Sequence, residues 1–469
     1  MSDIFVDEFA TELGAVEKAA PNSLSVQQQI DDELHSYAMY VLQNRAIPSI
    51  VDGLKLGQRK AIYSALKVCK HSDPRIKTAA LVGQTLKDGY HHGDSSMEGT
   101  ISLMAAEWCN NIPIFDGEGS FGNRFNHEAG AGRYTSVRLS KAFNKIFRDF
   151  ELLKDNPDPE FPEPMFYYPL IPWFALNGIE GIAFGFATSI QPRDPKVVLA
   201  MVQRLLGGKH VSDVDLPPHF PGWKGTVRWS DDKKVWEAVG NYDLLGRKGL
   251  VITEIPPMLD RETYVKHLLK LREKGKIRSF QDRSSKKANG FFFEIEFERG
   301  SDRPEGAEQI QKMFGLTCNL NENLTLLDEN NDVIVFDNIV EAIRHFVNFR
   351  LQVVQRRLDY QAQELQKRLD WKQAEVAFIW RVLGMLKDRA GVMTLTRAEL
   401  TEAAMKSTDV LSEQERLRLV HTPMWTFTQE AVVDANKEIA ELITSLEDHV
   451  QKTPHGVYIQ DLKNLSTEV

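Results

Sequence analysis

The chain has 469 residues, 42% apolar and 26% charged, the composition of a globular protein too long for one ordinary core. Its three cysteines (Cys69, Cys109 and Cys318) lie far apart and form no CxxC pair, which argues against a disulfide framework and a zinc site. No apolar run reaches the ~18 residues of a membrane span and the acidic N-terminus is no secretory signal, so a cytoplasmic location is expected.

The net charge of −9 hides a pattern. Residues 1–34 carry eight acidic side chains and one basic one, whereas residues 45–148 carry fifteen Lys/Arg against nine Asp/Glu. A locally basic surface on an acidic chain can still hold a polyphosphate.

In chain order, residues 1–26 read as an acidic arm. Ile30, Leu34, Tyr37, Ala38 and Val41 then recur at helical spacing. Pro48, Gly53 and Gly57 mark a loop, after which Ile62, Ala65, Leu66 and Cys69 line one face of a helix. Lys55, Arg59 and Lys60 cluster at that helix start, where the dipole disfavours cations, so a nearby anion is expected.

Residues 78–87 predict a short helix, 88–94 a turn and 95–109 a second helix, the outline of a helix-turn-helix. His91 and His92 in the turn can donate to phosphate or shuttle a proton. Gly117, Gly119 and Gly122 permit close backbone approach. The stretch 131–139 follows, with Arg133 and Tyr134, the candidate nucleophile. A helix is expected from Leu139 through Phe147.

Prolines between 157 and 172 predict an extended crossing. Residues 175–188, apolar and punctuated by glycine, read as core strands with a tight turn or as an apolar wedge for DNA base steps. A helix over 197–206 leads to an α/β element, with strands at 225–229, 250–255 and 291–297 and a helix at 262–274; the signals over 307–337 are mixed. From 316 to 383 there is neither Gly nor Pro. Val347, Leu351, Val354, Leu358, Ala362, Leu365 and Leu369 step by threes and fours, predicting a long amphipathic helix. Val432, Ala435, Ile439, Leu442, Leu446 and Val450 repeat the pattern until Pro454. Two long antiparallel helices are expected, with a dimerising helical tip around Trp380, Leu383, Met385, Leu386, Met424 and Trp425.

The stretches NRAIPSIVDGLKLGQRK (44–60), YHHGDSSMEGTI (90–101), GSFGNR (119–124), GRYTSVRLS (132–140) and NGIEGIAFGFATSI (177–190) follow one another in the order and spacing of a known family. The chain resembles the cleavage–religation subunit of type IIA DNA topoisomerases: the A subunit of gyrase and topoisomerase IV, the central-to-C-terminal part of eukaryotic topoisomerase II, and most of all the medium-subunit branch of T-even bacteriophage. The resemblance runs from about residue 27 to 461.

It implies an α+β multidomain fold. Residues 27–150 would be a winged-helix (helix-turn-helix) domain with the catalytic tyrosine, 151–335 an α/β tower, and 336–469 a long antiparallel coiled coil with a helical C-gate. Tyr134 falls on the family's nucleophile, and Arg133, Arg45 and His92 fall on residues around the scissile phosphate. Lys55, Arg59 and Lys60 match contacts to the DNA backbone, His91 is a further candidate, and Ile182 matches the isoleucine that intercalates. The ordinary phenol pKa of ~10 means that Tyr134 needs help at neutral pH, and guanidinium groups suit the charge developing on phosphate oxygens.

The acidic signature that binds Mg²⁺ in the family has no counterpart here. Residues 156–160 (NPDPE) and 213–215 (DVD) do not read as metal sites, and no phosphate-binding GxxxxGK[ST] loop occurs. Mg²⁺ and ATP are therefore expected on a partner ATPase/TOPRIM subunit. Double-stranded DNA and a second copy of the chain are the other expected partners, and no membrane is. The serine and acidic positions that anchor quinolones in bacterial enzymes fall on Ser95 and Gly99, with Glu98 one place away, so bacterial-style drug binding is not expected. No basic β-pinwheel follows, so relaxation and decatenation are expected rather than supercoiling. The alternatives are a non-catalytic DNA-binding scaffold of the same fold and a tyrosine recombinase or nickase.

Overall fold

The computed structural model describes residues 26–246, 249–285, 290–298, 304, 306–386 and 395–466. The acidic arm expected over 1–26 therefore lies almost wholly outside the described residues.

The first described helix, α1 (Val26–Val41), passes into a π-helical turn, Leu42–Ala46. Helix α2 (Leu56–Val68) follows the loop that Pro48 and Gly53 predict. Then come β1 (Ile76–Lys77), α3 (Thr78–Lys87), α4 (Asp94–Ala105), β2 (Phe115–Glu118) and β3 (Ser136–Leu139). The strands form one antiparallel sheet in the order β1-β3-β2, with Ile76 opposite Val137 and Phe115 opposite Leu139. Three helices backed by a small sheet thus carry the turns that hold His91, His92 and Tyr134. The helix expected from Leu139 is shorter: α5 (Lys141–Ile146) gives way to β4 (Phe147–Arg148), which pairs with β5 (Tyr168–Pro169) across the proline-rich crossing.

After α6 (Trp173–Asn177), the glycine-punctuated stretch becomes a hairpin, β6 (Ile179–Ile182) and β7 (Ala187–Ile190). Its base packs on the core through Ile179 and Ile190, while its tip projects from the surface. Helix α7 (Pro195–Leu206) starts on an Asp194 cap with Pro195 in its first turn, as helix starts favour.

The α/β body comprises β8 (Thr226–Ser230), β9 (Val235–Val239), β10 (Tyr242–Leu245), β11 (Gly249–Ile252), α8 (Arg261–Glu273), β12 (Ile277–Asp282), β13 (Phe293–Phe297), α9 (Ala307–Met313) and β14 (Thr317–Leu320). Its sheets run β10-β11-β13-β12 and β14-β9-β8. The mixed signals over 307–337 resolve into α9, β14 and a second hairpin, β15 (Leu324–Leu327) with β16 (Val333–Phe336).

Helix α10 (Ile339–Met385) runs 47 residues, about 70 Å at ~1.5 Å per residue. Asn338 caps it by accepting the Glu341 amide. Beyond α11 (Arg397–Met405) and α12 (Glu413–Arg418), α13 (Gln429–Val450) returns antiparallel: Val376 and Ile379 pack on Val432, Ala435 and Ile439, while His449 reaches the Leu358 carbonyl. Helix α14 (Pro454–Ser466) closes the described chain.

Packing cuts across the blocks expected from sequence. Ile62, Ile101 and Leu139 share one core with Tyr167, Trp173, Val198 and Leu216, with the root of α10 through Val354, and with Tyr458 and Leu462. The boundary expected at 150/151 is thus no break in the core, because the aromatic residues of the crossing segment bury against α2–α5. The separately packed body has its own centre, around Leu250, Tyr264, Phe293 and Phe314, and the tip of α10 has another, around Phe378, Ala404 and Leu419.

Candidate nucleic-acid interface and nucleophile

Tyr134 sits on a tight turn between the β2–β3 loop and β3, with its amide bonded to the Ala131 carbonyl at 2.8 Å. The turn is fastened to the start of α3 by Ala79 N–H to the Gly132 carbonyl (3.2 Å), Thr78 N–H to the Thr135 carbonyl (3.1 Å) and a buried 2.7 Å bond between the Thr78 and Thr135 hydroxyls. Its neighbours are fixed, yet the Tyr134 side chain is 69% exposed. The Arg133 guanidinium lies 4.8 Å from the centre of its ring. An exposed phenol on a rigid turn with a cation against it is unusual for a structural tyrosine, which normally buries its ring.

Asn44, Arg45, Lys55, His91, His92 and Glu180 are among the residues that line a cleft of about 690 Å³. Arg45 is exposed on the π-helical turn, a backbone irregularity frequent at functional sites. His91 and His92 are exposed at the start of α4, with the His92 ring edge-on to Tyr90. The Lys55 ammonium donates to the Glu180 carbonyl at 2.5 Å, and burial lowers its pKa, partly offset by the Glu180 carboxylate. The fold therefore gathers Arg45, Lys55, His91 and His92, while Tyr134 and Arg133 lie outside the lining of this cleft.

Two of the expected DNA contacts, Arg59 and Lys60, are engaged inside the protein, although Lys60 also lines the cleft. Arg59 is buried, with Nε 2.6 Å from Asp52 and Nη2 donating to Asp52 and to the Leu54 carbonyl. Lys60 is buried too, 3.0 Å from Glu163 and against the Phe161 ring. The anions that these cations face are the protein's own carboxylates. Exposing either cation to a phosphate would leave a charge unpaired in the interior.

Ile182 ends β6 and is 86% exposed. Its hairpin turns through Gly185 at φ 74°, and Phe184 and Phe186 are also exposed there, an apolar tip larger than the one isoleucine that sequence singled out. Gly181 packs directly on the Ala46 carbonyl and close to the Lys55 ammonium, so any Cβ at 181 would collide with the backbone that carries Arg45. The hairpin is thereby seated beside the cationic cleft.

The loop ahead of Tyr134 is docked on the α/β body. Arg124 pairs with the buried Glu254 at 3.1 Å, and Phe125 stacks near Phe291. Trp108 donates to the Phe121 carbonyl and stacks on His127 with ring centres 4.0 Å apart. The sequence signalled this loop by its glycines and by the GSFGNR stretch, but not its docking on the α/β body.

Among the described residues, no three His, Cys, Asp or Glu side chains group as metal ligands. Glu180 is the one carboxylate among the described residues that line the cationic cleft, which does not fit the oxygen-rich shell that Mg²⁺ requires. Nor is any described helix long and apolar enough to cross a membrane.

The site thus comprises an exposed tyrosine on a fixed turn, a cationic cleft and an exposed apolar hairpin tip. The family model for the A subunit of DNA gyrase/topoisomerase IV matches residues 45–463. The DNA topoisomerase medium subunit of Enterobacteria phage T4 is 36% identical over 391 residues, covering 82% of this chain and 86% of that protein. DNA topoisomerase 2 of Arabidopsis thaliana is 27% identical across 94% of this chain, and the DNA gyrase A subunit of Rickettsia prowazekii is 28% identical across 73%. The chain spans only 33% and 40% of those two longer proteins. The crystal structure of the Plasmodium falciparum topoisomerase II DNA-binding, cleavage and re-ligation domain superposes with a TM-score of 0.77 at 25% identity, over 95% of this chain and 64% of that one. The chain belongs to the family of DNA gyrase/topoisomerase IV A subunits, which are type II topoisomerase subunits.

Proposed function

We propose that this chain breaks and rejoins DNA through Tyr134, as a homodimer within an ATP-dependent type II topoisomerase that relaxes and decatenates DNA during replication. The observation that carries the reading is the Tyr134 turn, whose backbone is pinned to α3 while its phenol stands 69% exposed under the Arg133 guanidinium. The phenolic oxygen attacks phosphorus, a tyrosyl–phosphate bond forms to the 5′ end, and the bond to the 3′ oxygen breaks. The phenolic proton passes to a base, for which His92 is the candidate, and the leaving 3′ oxygen takes up a proton to become a hydroxyl. The new ester resembles the old one in energy, so the 3′ hydroxyl reverses the step without an outside energy source. Arg133 and Arg45 offset charge on the phosphate oxygens. Lys55 and His91 hold the backbone, and Ile182 wedges into the duplex.

Tyr134 and the cleft holding Arg45 and His92 do not share one lining. A second copy of the chain would cut the other strand. The α2–α4 unit with its small sheet would serve as the winged-helix domain, and α10 with α13 as a coiled coil that ends in the dimer contact. The cationic character of the cleft supports Mg²⁺ binding on a partner subunit, which would carry the ATP site too, the whole acting in the cytoplasm.

The test is to assemble the chain with its partner subunit, Mg²⁺, ATP and duplex DNA, and to trap covalent complexes with denaturant. Wild type should yield protein-linked 5′ ends and Tyr134→Phe none. Links that persist in the variant would make another residue the nucleophile, and links to 3′ ends would mean recombinase-type chemistry.

A further inference from the structure

The turn that carries Tyr134 is tied to α3 by backbone bonds and by the paired threonine hydroxyls. One further tie comes from a side chain on α4. Glu98 Oε1 accepts the Gly132 amide at 2.7 Å, two residues before the tyrosine. A carboxylate accepting a backbone amide is a charge-assisted bond, stronger than an ordinary one. Glu98 is itself well anchored, since its α4 neighbours Met97 and Ile101 are fully buried. The fit is close: a Cβ on Gly132 would stand 2.8 Å from Glu98 Oε2 and 3.1 Å from the Ala79 amide nitrogen.

From this geometry we infer that Glu98 is a positioning residue for the Tyr134 nucleophile, holding the Gly132 amide so that the phenol is presented in one orientation. The inference rests on the reading of Tyr134 as the nucleophile. Position 132 carries no side chain to wedge the turn in place, so the backbone of a glycine, the freest of residues, is restrained from outside. With the carboxylate removed, the turn keeps its α3 contacts but gains freedom next to the reacting group. A displacement well under a bond length is enough to slow an in-line attack. The role belongs to the chemical step rather than to DNA capture, because Glu98 adds no positive charge to the surface.

The experiment compares wild type, Glu98→Gln, Glu98→Ala, Gly132→Ala and the double variant E98A/G132A in the assembled complex with Mg²⁺ and duplex DNA. It reads the single-turnover rate of covalent complex formation, DNA affinity by fluorescence anisotropy, and the unfolding midpoint. Glu98→Ala should slow covalent complex formation by about 10- to 100-fold while DNA affinity stays within about twofold. Glu98→Gln, which keeps an oxygen acceptor, should recover most of the rate. The double variant should be no slower than Gly132→Ala alone, because both changes act on one contact. Wild-type cleavage by Glu98→Ala, or a cleavage defect matched by equal losses of affinity or unfolding midpoint, overturns the proposal. Tyr134→Phe run in parallel keeps the two readings apart: covalent links in that variant defeat the nucleophile assignment, whatever Glu98 does.

Discussion

Arg59 and Lys60 show what a residue type at a helix start does and does not reveal. The expected anion is present, but it is Asp52 for one and Glu163 for the other. Glu163 is 103 positions from Lys60, in the proline-rich crossing, so no local pattern could have paired them. The Tyr134–Arg133 turn was legible because its chemistry is contiguous in the chain, whereas the link from Glu98 to Gly132 crosses 34 positions. Arg59→Met should lower stability by about 3–5 kcal/mol, since it strands Asp52 fully buried and unpaired. Denaturant titration checks this. Pairing it with Asp52→Leu should recover only part of the loss, because the Leu54 and Tyr167 amides that donate to Asp52 are then left without an acceptor.

The elements that present the site divide in the same way. Periodicity located α3, α4 and α13 within a few residues, because each buries a regular apolar face, whereas α10 extends past its periodic stretch of 347–369 at both ends and takes in Trp380, Leu383 and Met385, expected in the tip. The β6–β7 hairpin was ambiguous, since an apolar, glycine-rich stretch reads equally as core or as exposed wedge until its surroundings are known. Ile182→Ala should leave the unfolding midpoint nearly unchanged, within about 0.5 kcal/mol, because the side chain contributes little to the core. In the same variant, DNA bending measured by energy transfer between end-labelled duplex arms should fall.

The loop ahead of Tyr134 carries a pH dependence. Burial lowers the His127 pKa below 6.5, with Arg124 lowering it further and Asp260 opposing. Its Nε2 is buried and has no hydrogen-bond partner among the described residues. The unfolded chain thus binds the proton more readily than the folded one. The stability contribution is complete above pH 6.5 and is lost as pH falls through the lowered folded value. Trp108, stacked on this imidazole, should report the transition by fluorescence, and His127→Phe should flatten it.

At the scale of the whole molecule, the long arm followed from sequence because nothing interrupts its helical spacing. The merging of the first two blocks into one core did not, because that depends on which aromatic residues meet. The arm is rooted by a buried network in which Asp149 accepts from Arg350 and Arg357, and Arg357 also reaches Asp461. At its far end Trp380, Val410, Met424 and Trp425 are all more than half exposed, a surface unsuited to water. If the proposed dimer forms through this surface, Val410→Asp together with Trp425→Glu should shift the chain toward monomer in sedimentation velocity, with helix content by circular dichroism unchanged.

The seating of the β6–β7 hairpin on the Ala46 carbonyl bears on which DNA sequences are cut. On the proposed roles of Ile182 and Arg45, this contact joins the wedge to the turn that carries Arg45, so the cost of deforming the duplex would enter the same free energy as the capture of its phosphate. Pyrimidine–purine steps unstack most easily. A map of cleavage positions on mixed-sequence DNA should therefore follow local flexibility rather than base identity, a selectivity that needs no side chain to read a base edge.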